Sequence, residues 1–265
     1  MALMNRLNNF NECRVNSQIY DIYDNGDIDS HIVYLESRNG KDFTGNIFRI
    51  AEELSTGRYG DLKIYVFATS QTKSKIKGFM KNYNLKIHKI ITDENEACKI
   101  LEKAKYIFTD SGIRSKFIKR DGQVMMNTWH GTPLKLMGFD NPSERPALGI
   151  IQRCLLFSDY LLYPNEYMMD IMLDAYQIDK IYPGAILLEG YPRNSAFLRD
   201  NNEMRKELDL EDKEIFVYMP TFKGIVSDRK DEKQKRDVDE FLKQIDIKLR
   251  DDQLLFVKFH PYNQS

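Results

Sequence analysis

Cysteine is scarce in this sequence: Cys13, Cys98 and Cys154 are the only three in 265 residues, isolated and odd in number. No C-x-x-C pair or His-rich spacing accompanies them, which argues against a disulfide framework and a structural zinc site and predicts a reducing, cytosolic compartment. Long apolar runs are lacking too. None exceeds five residues, as in Ile64 to Ala68, against roughly 7–15 for a secretory signal and about 20 for a membrane helix. The expectation is a protein without a spanning segment, with peripheral attachment as the remaining membrane option. An excess of charge of either sign is also missing. With 39 Lys+Arg against 40 Asp+Glu the formal net charge is −1, so binding of nucleic acid through bulk electrostatics is not expected and any polyanion must be met locally.

Several chemistry-bearing signatures are absent as well. There is no G-x-x-x-x-G-K-[ST], no G-x-G-x-x-G after a strand, no G-x-S-x-G and no H-E-x-x-H. P-loop hydrolysis, dinucleotide redox chemistry, α/β-hydrolase chemistry and zinc proteolysis lose their sequence basis. No Asp/Glu/His cluster has ligand spacing, so neither a metal nor another cofactor is expected.

What is present is a βα rhythm. The first thirty residues are rich in Asn and carry no sustained period, and read as an irregular lead-in. From His31 onward short apolar runs alternate with amphipathic stretches bounded by Gly, Asn and Asp. Strands are predicted over Ile32–Leu35, Lys63–Ala68, Ile87–Ile91, Tyr106–Thr109, Val124–Trp129 and Tyr160–Tyr163, and helices over Asn46–Leu54, Thr72–Tyr83 and Asn95–Ala104. Runs such as IVYL and IYVFA are apolar on both alternating faces, as expected of a parallel sheet covered by helices on each side. A second set, AILLEG, IFVYMP and LLFVKFH, begins near Ala185. The predicted organisation is a lead-in over 1–30, a first α/β domain over 31–184 and the first half of another over 185–265. The mixed-charge stretch Ser227–Arg236 reads as a solvated loop, or as an anchor for an anionic acceptor.

Ligands of parallel α/β sheets bind outside the carboxyl ends of the strands, which directs attention to the residues after each run. His130 closes QVMMNTWH and is followed by Gly131, Thr132, Pro133, Leu134 and Lys135. An imidazole there is placed to take a proton from a hydroxyl. Gly131 permits close backbone approach, and Thr132 and Lys135 offer donors to a phosphate. Arg193 lies in a Gly-Tyr-Pro-Arg-Asn turn beside Asn194, where a guanidinium can grip phosphate bidentately. Thr221 and Lys223 follow the second run of the later set, and His260 the third. A satisfied loop histidine and a surface turn arginine are the competing structural readings of His260 and Arg193. His31 and His88 read as structural.

Taken together these motifs resemble a known family, the CDP-glycerol glycerophosphotransferases that build teichoic acids and related poly(alditol phosphate) capsules. QVMMNTWHGTPLKLMGFD, Gln123 to Asp140, is similar to that family's WHGTPLK-x-x-G-x-D signature. GYPRN (Gly190–Asn194), YMPTFK (Tyr218–Lys223) and KFHPY (Lys258–Tyr262) resemble its next three motifs in order, and ESRNGKDFTGN and AKYIFTDSG its upstream segments. The resemblance implies a GT-B-like architecture of two Rossmann-type domains, the second truncated, with the first signature on the acceptor side and the later motifs on the nucleotide side. It implies transfer of glycerol phosphate from CDP-glycerol, or a related CDP-alditol, to a hydroxyl of a lipid-linked polyol-phosphate acceptor, releasing CMP, at the inner face of the cell membrane. In it His130 corresponds to the general base and His260 to a histidine at the pyrophosphate or leaving group, while Arg193, Thr221 and Lys223 would hold phosphates. Two positions depart from the pattern: Ser195 replaces an Asp, and Lys223 replaces an Arg, keeping the charge but losing the fork. A nucleotide-sugar GT-B glycosyltransferase and a non-catalytic acceptor-binding fragment are the alternative readings.

Overall fold

The computed structural model describes residues 26–199, 202–220 and 232–258. Within them the chain divides into two compact units, with the boundary between Leu198 and Arg199.

The first unit is built on seven parallel strands: β1 (Asp29–Glu36), β2 (Lys63–Phe67), β3 (Ile87–Ile91), β4 (Ala104–Thr109), β5 (Val124–Asn127), β6 (Tyr160–Tyr163) and β7 (Ala185–Leu188). Their spatial order is β3-β2-β1-β4-β5-β6-β7. The chain runs outward from β1 to β3, then crosses back to start β4 on the other side of β1. The carboxyl ends of β1 and β4 therefore flank the point where the winding direction reverses, the place where open α/β sheets form a ligand crevice.

Strand β1 shows why the sheet is doubly covered. Val33 and Leu35 point into one core with Phe43, Ile47, Ile64, Val66 and Ile76, while Ile32 and Tyr34 point into the other with Phe67, Leu101, Ile107, Phe117 and Met125. The period of two with both phases apolar is the signature of a strand buried on both faces. Helices α1 (Gly45–Leu54), α2 (Ser70–Asn82), α3 (Glu94–Lys103), α4 (Leu148–Phe157) and α5 (Glu166–Ala175) alternate with the strands. Three begin on a side-chain cap: Thr69 Oγ1 accepts from Thr72 N at 3.3 Å, Asp93 Oδ1 from Glu96 N at 2.8 Å and Asn165 Oδ1 from Met168 N at 3.0 Å, each satisfying an otherwise orphaned helix donor. Helices α4 and α5 go beyond the sequence expectations.

The domain boundary expected before Ala185 lies later. Strand β7 pairs in parallel with β6, in the register Tyr160↔Ala185 to Tyr163↔Leu188, so AILL completes the first sheet instead of opening a second. The turn that carries Arg193 belongs to the first unit with it.

The second unit contains α6 (Asn202–Glu207), β8 (Glu214–Tyr218), α7 (Glu232–Asp246) and β9 (Gln253–Val257). Strands β8 and β9 pair in parallel, Glu214↔Gln253 to Tyr218↔Val257, with α7 between them in sequence. The charged stretch expected to be a loop is helical from Glu232 onward: its mixed Lys, Glu and Gln content favours helix, and Val238, Phe241 and Leu242 supply an apolar stripe at helical spacing.

Candidate active site

Strand β5 ends two residues earlier than the sequence predicts, and its side chains explain the stop. Asn127 Oδ1 accepts the Trp129 N–H at 2.8 Å, an Asx-type turn, and Asn127 Nδ2 donates to the Ser111 carbonyl at 2.8 Å. Trp129 is thereby held at φ +50°. For a non-glycine residue that conformation costs about 1–2 kcal/mol, and such strain persists only where the surroundings over-determine it. Here the indole is buried edge-to-face against Tyr176 at 5.7 Å. The Trp129 carbonyl accepts from Asn46 Nδ2 at 3.1 Å and from Thr128 Oγ1 at 3.0 Å.

This turn swings His130 out past the sheet edge. Its imidazole stacks on Trp129, with centroids 4.5 Å apart and planes at 25°. Nδ1 lies 2.7 Å from the Asp110 main-chain oxygen. A carbonyl can only accept, so Nδ1 carries a proton, and in the neutral ring Nε2 holds the lone pair. Among the described residues Nε2 has no hydrogen-bond partner, and the residue is exposed. An oriented imidazole with its basic nitrogen facing solvent is what a general base requires.

Asp110 is itself fixed at the end of β4. Its carboxylate is buried, accepting from Ser37 Oγ at 2.7 Å and from Arg38 N at 2.9 Å. Burial pushes its carboxyl up from the ordinary range, opposed by those two bonds and by the nearby charges of His130 and Arg38. At the end of β1, buried Glu36 accepts from Tyr34 Oη at 2.6 Å and from Arg114 Nη2 at 2.8 Å. The two strand ends that flank the crevice are therefore tied by polar bonds into one platform.

Arg193, expected on the nucleotide side, lies against the His130 turn. Its Nη1 donates to the His130 carbonyl at 3.0 Å, its main-chain N–H donates to Asn46 Oδ1 at 3.2 Å, and its guanidinium sits 4.9 Å from the Tyr191 ring centroid. Gly131 has φ +150°, and a Cβ there would lie 3.3 Å from Arg193 Nη2, so the glycine lets the arginine close on the turn. Thr132 Oγ1 reaches Met168 Sδ at 3.8 Å. Lys135 and Asn194 are exposed near the same strand ends. Leu134 and Leu136, 88% and 66% exposed, flank Lys135.

His260, Thr221 and Lys223 lie outside the described residues. Sequence reading missed Asn46 and Asp110. Both fall inside the quoted motifs ESRNGKDFTGN and AKYIFTDSG, which is the signal that could have found them. His31 is exposed and accepts company from Asp29 at 3.2 Å, and exposed His88 rests on the Tyr65 ring at 5.1 Å. Neither approaches the strand-end platform. Among the described residues no group of three or more His, Cys, Asp or Glu could hold a metal ion, and no helix is long and apolar enough to cross a membrane.

Comparison with known proteins gives consistent relatives. The chain is 25% identical over 244 residues to the teichoic acid poly(glycerol phosphate) polymerase of Bacillus subtilis (strain 168), covering 86% of this chain and 31% of that protein. It is 24% identical over 261 residues to the teichoic acid glycerol-phosphate transferase of Staphylococcus aureus (strain NCTC 8325 / PS 47), covering 87% of this chain and 60% of the relative. The solved structure of the wall teichoic acid polymerase TagF shares the fold at a TM-score of 0.68 and 19% identity, over 99% of this chain and 65% of that one. The chain thus spans less than two thirds of the length of each. The profile of the CDP-glycerol:poly(glycerophosphate) glycerophosphotransferases matches residues 19–265, and the chain belongs to that family.

Proposed function

We propose that the complete gene product transfers glycerol phosphate from CDP-glycerol to a hydroxyl at the growing end of a poly(glycerol phosphate) acceptor. The observation that carries the proposal is the Nδ1–H bond from His130 to the Asp110 carbonyl, made by the histidine of the family signature. In the neutral ring it makes Nε2 the basic nitrogen, at a strand-end crevice.

In the proposed reaction His130 Nε2 removes the proton of the acceptor hydroxyl as its oxygen attacks the phosphorus that bears the donor glycerol. A new P–O bond forms to the acceptor, the P–O bond to the CMP phosphate breaks, and CMP leaves with the bonding electrons. Charge builds on the transferring phosphoryl oxygens, where positioned cations contribute most. Arg193 is near enough to the His130 turn to serve there, with Lys135, Gly131, Thr132 and Asn194 lining the approach. Thr221, Lys223 and His260 are proposed, through the motif resemblance alone, to meet the donor phosphates.

The acceptor is proposed to be lipid-linked and met at the inner membrane face. The exposed Leu134 and Leu136 beside His130 support that reading, since exposed aliphatic side chains next to a basic residue suit the boundary between a lipid surface and water.

The test is CMP release from CDP-glycerol with a soluble glycerol phosphate oligomer, measured on the complete gene product and its His130→Ala variant. The expected result is a 10²–10⁴-fold loss of turnover, on the order of what a general base supplies, with CDP-glycerol affinity unchanged. Absence of CMP release by the intact protein, or faster turnover of a nucleotide sugar, would overturn the assignment. Equal loss of donor binding in the variant would remove His130 from the role of base.

A further inference from the structure

Arg38 immediately follows the buried Glu36–Ser37 pair at the end of β1, on one lip of the crevice where the sheet reverses its winding. Its backbone is unusual: Arg38, Asn39 and Gly40 take φ of +47°, +55° and +75° in succession. Glycine or asparagine suits that region, whereas arginine does not. The conformation is imposed from several sides. Arg38 N–H is bonded to Asp110 Oδ1 at 2.9 Å, Ser37 Oγ to Asp110 Oδ2 at 2.7 Å, Gly40 N–H to the Ser37 carbonyl at 2.8 Å and Lys41 N–H to the Arg38 carbonyl at 3.2 Å.

The side chain contrasts with the backbone. It is exposed, and among the described residues the guanidinium makes no hydrogen bond or ion pair. A strained main chain locked by four bonds, carrying an exposed guanidinium whose donors are not spent within the described fold and whose charge reaches only Asp110 through space, is placed to bind an anion. The residue that locks it is Asp110, whose main-chain oxygen also holds His130 Nδ1. The His130 ring and the Arg38 main chain are therefore each one hydrogen bond from the same buried anchor.

We propose that Arg38 forms an anion subsite for the acceptor, holding the phosphodiester next to the hydroxyl that His130 deprotonates. A guanidinium binds a phosphodiester through two parallel N–H donors, and a glycerol unit separates such a phosphate from the reacting hydroxyl by only three carbons. Arg38 would thereby select acceptors that already carry a phosphate at their end. The identity of the anion as a phosphodiester rests on the proposed function; the presence of an anion subsite does not.

The test is binding rather than turnover, so its failure is separable from that of the proposed reaction. The 265-residue chain is titrated calorimetrically with an oligo(glycerol phosphate) of six units, with a neutral hexaglycerol and with CDP-glycerol. The expected result is tighter binding of the charged oligomer than of the neutral one, weakened tenfold or more by Arg38→Gln, with CDP-glycerol affinity unchanged and partial recovery in Arg38→Lys. Arg38→Gly supplies the folding control, because glycine accepts the same φ: its melting temperature should hold or rise while oligomer binding is lost. Equal affinity of wild type for the charged and neutral oligomers, wild-type binding by Arg38→Gly, or a matching loss of CDP-glycerol affinity would each overturn the subsite.

Discussion

One side-chain amide, that of Asn46, bridges to Arg193 across 147 positions of sequence: its Oδ1 accepts the Arg193 N–H at 3.2 Å while its Nδ2 donates to the Trp129 carbonyl at 3.1 Å. Asn46 is buried in the first turn of α1, so the turn that presents His130 and the turn that carries Arg193 are set by one group. Asn46→Ala leaves the Arg193 N–H unpaired, a loss of about 1–3 kcal/mol, and removes one of the two donors to the Trp129 carbonyl, which keeps Thr128 Oγ1 at 3.0 Å. Chemical denaturation should show that destabilisation, and turnover of the folded variant should fall more than its donor affinity. Unchanged stability would mean that water replaces both bonds.

Two glycines with the same backbone hand should respond differently to alanine. Gly138 and Gly60 have φ of +55° and +83°, but a Cβ at Gly138 would lie 2.3 Å from the Ala175 carbonyl oxygen, whereas one at Gly60 meets nothing within 4 Å. Gly60→Ala should cost about 1–2 kcal/mol, the left-handed penalty alone. Gly138→Ala adds a backbone collision and should cost several kcal/mol more or prevent folding. Thermal melts of the two variants decide it, and similar losses would contradict the close approach.

Asp110 gives stability a particular dependence on pH. Burial raises its carboxyl in the folded chain, so the folded state prefers the protonated form. The associated stabilisation is complete below the ordinary aspartate range, about 3.9, and is lost as pH rises through the raised folded value. Asp110→Asn cannot titrate, yet its amide can still accept from Arg38 N and donate to Ser37 Oγ. Stability of wild type relative to this variant should therefore decline as pH rises from acid towards neutral, as followed by urea midpoints at each pH. A constant difference would show that Asp110 titrates alike in both states.

Cys154 should be inert while the chain is folded. Its thiol is fully buried, donates to the Ser111 carbonyl at 3.3 Å and is pushed up to about 12 by burial, leaving almost no thiolate at neutral pH. Peptide mapping after iodoacetamide treatment should find Cys154 modified only when denaturant is present. Rapid modification in native buffer would require local opening of α4.

The strands were legible because their apolar runs are buried on both faces, a pattern that no exposed segment imitates; IYVFA became β2 with little change in bounds, while IVYL is only the centre of β1, which runs from Asp29 to Glu36. Helix α4 was not, because LGIIQRCLLF is apolar around most of its circumference and lacks the polar face that marks a helical period. AILL was seen as a strand but given to the wrong sheet, since a run of four residues says nothing about which neighbour it pairs with. The site divides in the same way. His130 was visible through its motif, whereas its tautomer depends on a carbonyl twenty positions away. Asn46 looks like any polar residue beside a glycine until the fold brings residue 193 against it.

The Asn46 bridge also has a consequence for the order in which the protein is made. Synthesis delivers the first helix, then the tryptophan turn, and only much later the segment that supplies the Arg193 amide and the guanidinium bond to the His130 carbonyl. A nascent chain paused on the ribosome before that point can build most of its sheet, since domains begin to fold from their N-terminal end during translation. It still lacks the bonds that Arg193 makes to Asn46 and to the His130 carbonyl. The His130 turn takes its last bonds from residues translated more than sixty codons after it, so it is among the last parts of the sheet edge to set.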